Sequence, residues 1–315
     1  MTSVGTRQSA PPTAPRSAGR ISGTVWAALV VVYVVWGSTY LGIRIVVESM
    51  PALLSGAARF LCAGALLLAV LGFRHGAGAL RVTGRQLGST AVVGVLLLVV
   101  GNGLLVIAEG SIPSGLAALL VAAVPLWVVL LRAVFGERPG WARLLGVLLG
   151  LGGLAVLSVP GISGTVSLGG VLTIMIASVS WAVGSFASAR LPMPANPLVA
   201  SAYEMLIGGF GCLLVALARG EERGLDLGAI TTRSWLALVY LVLVGSLVGF
   251  TAYAWLLQRA PLGLVATYAY VNPVVAVFLG WLVLGEGLSL PELLGGLIVV
   301  AAVCVVVSTE RRSRA

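Results

Sequence analysis

Two charged residues sit deep inside apolar stretches, Arg59 and Glu204. A charge at the centre of a helix in hydrocarbon costs about 2.5–3.5 kcal/mol on insertion scales, so both should face a protein interior. There they could gate a path or couple it to an ion. An arginine stays charged in proteins, so Glu204 is the titratable member and the candidate proton carrier. Counting the helical rise puts the two on opposite sides of the membrane midplane, which favours their separation. The alternative role for Arg59 is an anchor on loop carbonyls near Glu48 or Pro51. Glu48, Glu109, Glu137, Glu286 and Glu292 fall at the ends of apolar runs, where water and loop backbone should keep them ordinary.

A second group could bind a solute. Trp36, Tyr40 and Arg44 are spaced by four and share one helix face. Such a stripe suits a protein-lined cavity better than lipid. With Ser38, Asn102, Trp127, Trp181, Tyr268, Tyr270 and Asn272, the two aromatics form a candidate substrate-binding set, some of whose members should simply pack between helices. Pro125 and Pro273 fall mid-run. Each should kink its helix and free the carbonyl four residues back, at Val121 and Ala269.

Enzyme chemistry is poorly provided for. All 19 basic residues are arginine, so no lysine-bearing phosphate loop exists, and there is one histidine and one aspartate. Neither a metal nor a cofactor is expected. Cys62, Cys212 and Cys304 lack ligand spacing and read as small buried residues, and His75 reads as solvated.

The elements that must position these groups are membrane spans. The chain is 59% hydrophobic and 9% charged, with mean hydropathy +1.09. Soluble domains carry roughly 25% charged residues. About 20 apolar residues make one spanning helix, and ten such runs are present: 24–47, 52–73, 86–108, 113–135, 141–159, 167–189, 197–218, 234–257, 262–284 and 291–308. Residues 1–22, rich in Ser, Pro and Arg, are expected to be disordered, and 309–315 form a basic tail. With both termini cytoplasmic, fourteen arginines fall on the cytoplasmic side and four on the other. The net charge of +9 thus sets orientation in a cell membrane, with lipid rather than nucleic acid as its partner.

An internal repeat organises the runs. Trp36 matches Trp181, Arg59 matches Glu204, Gly64 matches Gly209, and Pro113, Gly115 and Pro125 match Pro261, Gly263 and Pro273. Gly136-Glu137 then matches Gly285-Glu286, all at a near-constant offset of about 145 to 149 residues. The units are 24–159 and 167–308, five spans each. An odd number makes the copies cross in opposite senses. The expected fold is therefore all-α and integral to the membrane, ten helices in two inverted five-helix repeats, with a substrate site where the repeats meet.

Trp36-Gly37-Ser38-Thr39-Tyr40, Ala58-Arg59-Phe60 and the paired Gly-Glu turns resemble the EamA family of the drug/metabolite transporter superfamily. The resemblance spans about residues 24–308. It implies a ten-helix carrier with both termini inside, usually an exporter of small metabolites, amino acids or drugs. Few buried charges argue against polyphosphorylated substrates. The expected activity is alternating-access transport of small neutral or zwitterionic solutes, with a proton as candidate coupling ion. The rival readings are an integral-membrane enzyme and a non-transporting accessory subunit.

Overall fold

The computed structural model describes residues 22–136, 140–157, 159, 166–260, 265, 268–287 and 289–312, and every regular element among them is helical. Seven helices are long and apolar enough to cross a membrane: α1 (Gly23–Val47), α2 (Ala52–His75), α3 (Gly84–Glu109), α4 (Ser114–Val134), α6 (Leu168–Ser188), α7 (Pro197–Ala218) and α8 (Thr232–Tyr253). The expected spans 141–159, 262–284 and 291–308 correspond to α5 (Trp141–Leu157), α9 (Tyr268–Leu279) and α10 (Leu290–Arg312). Their apolar stretches, Leu144–Gly153, Val271–Leu284 and Leu290–Ala302, are shorter. Residues 1–21 and 313–315 lie outside the described residues, as do Glu137, Pro261 and Gly263 of the repeat.

Local signals start these helices. Ser22, Ser167, Asn196 and Thr231 each accept a hydrogen bond from a backbone N–H of the following turn. Thr83 with Gln86 and Ser289 with Glu292 do so reciprocally. Two helices borrow their caps. Pro51 cannot cap α2, and Glu221, from the loop after α7, accepts from Leu53 N (2.9 Å) and Leu54 N (3.1 Å). Glu286 does the same for α4, accepting from Ser114 N (3.0 Å), Ser114 Oγ (2.7 Å) and Gly115 N (3.4 Å).

Packing follows the repeat. α2 packs along α7, and α5 along α10. α1 packs on α8 and α9, while α6 packs on α3 and α4. Exchanging the two copies maps this pattern onto itself. The matched glycines explain the tight α2–α7 contact. A Cβ on Gly64 would come 2.9 Å from the Ala202 carbonyl, and one on Gly209 would come 2.8 Å from Leu61 N. Small residues let membrane helices approach backbone to backbone.

The same correspondence appears inside α3 and α8. Val95–Asn102 and Leu241–Val248 both widen to π-helix, a geometry common at functional sites. In α3 two of the carbonyls accept from side chains: Ser180 Oγ of α6 donates to Leu96 O at 2.8 Å and Asn102 Nδ2 of the same helix to Leu97 O at 3.4 Å.

The prolines behave differently from each other. α4 breaks into turn at Ala122–Ala123, so Pro125 falls in the first turn of the restarted helix, where its missing N–H is harmless. Pro273 lies within continuous helix. Cysteine burial also needs correcting: Cys212 is buried, but Cys62 and Cys304 are exposed on the outer face of the bundle. Helix faces turned to lipid need apolar residues of any size, so composition alone does not separate them from the core.

Candidate functional site

A cavity of about 90 Å³ lies between the two copies. The first copy contributes Trp36, Thr39, Tyr40, Arg59, Asn102, Leu105 and the break in α4. The second contributes Ser178, Trp181, Phe250, Tyr268, Asn272 and Pro273. Such a volume holds several waters or a compact solute.

Aromatic rings form one wall. Trp36 packs against Phe250 (centroids 5.4 Å apart), Tyr253 (4.8 Å) and Tyr268 (5.2 Å). Tyr268 also packs edge-on against Tyr253, with centroids 5.8 Å apart. The two matched tryptophans and Tyr268 line the same cavity. Each tryptophan also rests on a glycine of the opposite copy. Trp36 Nε1 would stand 2.5 Å from a Cβ on Gly249, and Trp181 Cε3 3.1 Å from one on Gly101.

Arg59 is the charged residue among those lining the cavity, and it is 5% exposed. Its Nε donates to Ser246 Oγ at 3.0 Å, in the π-helical part of α8. Its hydrogen-bond partner is thus on α8 and not the expected loop carbonyls near Glu48 or Pro51. Glu109 lies within electrostatic reach of Arg59. Asn272, with its amide oriented to satisfy both, donates to the carbonyls of Tyr268 (3.1 Å) and Tyr33 (3.2 Å), tying α9 to α1.

Other expected residues lie elsewhere. Ser38 bonds to Val35 O and the Tyr240 hydroxyl, outside the lining. Trp127 donates to Ser178 Oγ at 3.0 Å and so touches the cavity only through that serine. Glu204 is half-buried on α7, which contributes nothing to the lining, and its backbone lies against Gly94. The side chain of Tyr270 lies outside the described residues, although its backbone is helical. Both carbonyl-bearing positions expected from the prolines, Val121 and Ala269, line the cavity.

Glu109 corrects the expectation for carboxylates at span ends. It is fully enclosed, and neither carboxylate oxygen has a hydrogen-bond partner. Its backbone carbonyl accepts from the Arg44 guanidinium, so the stripe of Trp36, Tyr40 and Arg44 runs from the cavity to the end of α3. Helix spacing could have found it, since Asn102, Leu105 and Glu109 share a face. The same reasoning reaches Ser178, one turn before Trp181, and Thr39, one turn after Trp36. Phe250 left no such signal.

The EamA-like transporter family model matches the chain twice, over residues 22–159 and 168–308. The uncharacterized inner membrane transporter YedA of Escherichia coli is 42% identical over 286 residues, covering 89% of this chain and 90% of that one. A probable terminal-alkyne amino-acid exporter of Streptantibioticus cattleyicolor is 28% identical over 288 residues, covering 91% and 94%. A crystal structure superimposes with a TM-score of 0.64 at 22% identity, over 93% of this chain and all of that one. With its repeat present twice in an apolar helical bundle, the chain is a membrane protein that belongs to the EamA-like transporter family.

Proposed function

We propose that the protein is a secondary transporter that carries small neutral or zwitterionic amphipathic solutes outward across the inner membrane by alternating access. In this reading α1–α10 all span the bilayer, both termini are cytoplasmic, and the copies are inverted. Each half rocks against the other about the shared cavity.

The observation that carries the reading is the meeting of Trp36 and Trp181 at one cavity. Matched residues of a duplicated chain converge where the copies touch, which is where a carrier must change its access. Aromatic faces suit apolar or aromatic side groups, and Arg59 supplies one cation for a carboxylate. A single cation is too few for a polyphosphate. The names of the relatives support transport and, in one case, export of an amino acid.

The test is flux of labelled amino acids and aromatic metabolites in inverted vesicles, with and without a pH gradient. Uptake of at least one probe that disappears in Trp181→Ala supports the reading. Vesicles indistinguishable from protein-free controls for the whole panel refute it.

A further inference from the structure

We propose that Glu109 is a proton-exchange site of the transport cycle, protonated while enclosed and releasing its proton when this end of the bundle opens. The inference rests on the transport reading above and names its coupling group.

The geometry singles out this carboxyl. Glu109 ends α3 on the face that carries Asn102 and Leu105 to the cavity, so it lies about one turn beyond the cavity wall. It is completely enclosed and neither oxygen accepts a hydrogen bond. A buried ionised carboxylate without donors is several kcal/mol less favourable than a paired one, whereas a neutral acid fits such a place at far lower cost. A structural carboxylate would have recruited donors. Glu286 and Glu221 do so at helix starts.

The surroundings are built to respond to a change of charge. From α1, Arg44 and Tyr40 reach Glu109. Arg59 does so from α2, and Glu286 from the turn after α9. α6 has no ionisable residue, and on α4 the ionisable Arg132 lies at the far end. Arg44 is held on the Glu109 backbone carbonyl, not on the carboxyl. When the helix ends part and water enters, the carboxyl O–H breaks and its proton passes to water on that side. The carboxylate left behind then faces Arg44 and Arg59. With this end closed again, a proton arriving from the opposite side through the cavity one turn away restores the enclosed acid. Each such cycle moves one proton across the membrane, and nothing is oxidised or reduced.

The test has a spectroscopic arm and a transport arm. In the first, full-length protein in a detergent without carbonyl groups is examined at neutral pH by infrared absorption, as differences between wild type and variants, for the carbonyl band of a neutral carboxylic acid. The band should be present in the wild type, missing in Glu109→Gln, and restored at a shifted position in Glu109→Asp. Identical wild-type and Glu109→Gln spectra would overturn the proposal whether or not any solute is carried. In the second arm, labelled phenylalanine is followed across a pH gradient. Gradient-dependent accumulation lost in Glu109→Gln but kept in Glu222→Gln supports the proposal. Accumulation by Glu109→Gln equal to wild type refutes it and leaves the transport reading standing. If phenylalanine is not carried, the transport reading is weakened and the infrared band alone decides whether Glu109 holds a proton. Monodispersity of Glu109→Gln and Glu109→Asp separates a lost group from a lost fold.

Discussion

Trp36, from the first copy of the repeat, rests on Gly249 of the second, its indole nitrogen 2.5 Å from where a Cβ on that residue would stand. A side chain at position 249 would push the indole into the cavity or drive α1 from α8.

Gly249→Val should therefore impair transport strongly and destabilise the protein by about 1–3 kcal/mol, the usual cost of overpacking. Gly101→Ala, where the corresponding contact is a looser 3.1 Å to Trp181, should do less of both. Flux in liposomes and thermal unfolding in detergent would check the order. Equal effects at the two positions would mean that the close approach does not govern them.

Arg59 should be needed for solutes that carry a carboxylate. Arg59→Ala should abolish their uptake, and Arg59→Lys should restore it only in part, because an ammonium does not reproduce the guanidinium geometry. Ser246→Ala removes a buried partner of that cation and should cost about 1.5–3 kcal/mol of stability. Uptake by Arg59→Ala at the wild-type level would assign the residue to structure alone.

Glu221 reaches from the loop after α7 to the first turn of α2. Glu221→Gln weakens a charge-assisted cap and Glu221→Ala removes it. Melting temperatures should fall in that order, with Glu221→Ala costing about 0.5–2 kcal/mol. An unchanged melt in Glu221→Ala would show that α2 starts without its help.

Orientation can be checked separately. Reporter fusions after Arg81 and Arg314 should report cytoplasm, and one after Glu222 the opposite side. A cytoplasmic signal at Glu222 would contradict ten spans with both termini inside.

The helices and the duplication were legible because both are written in long-range composition: apolar runs set the spans, and matched pairs such as Gly64 and Gly209 mark the repeat. The helix stripe of Trp36 and Tyr40 was legible for the same reason, since residues four apart share a face. What depended on pairing between distant helices was not. Nothing local shows that Ser38 would turn to Tyr240, or that Arg59 would find Ser246 across 187 positions of chain. Glu109 departs from the expectation because closeness to a helix end does not by itself give access to water. Its burial emerges only when α1, α2, α3 and the turn after α9 are assembled. Glu204, the match of Arg59 in the other copy, lies on α7, which contributes nothing to the cavity lining.

In the proposed cycle solute crosses through the space where the two copies meet. The most direct measurement is exchange of labelled amino acids and aromatic metabolites in liposomes containing the full chain, comparing wild type with Trp36→Ala and Trp181→Ala. Exchange is expected in the wild type and should be lost in both variants, although the two residues lie in different copies. Wild-type exchange rates in both variants would place the path elsewhere and contradict the proposed cycle.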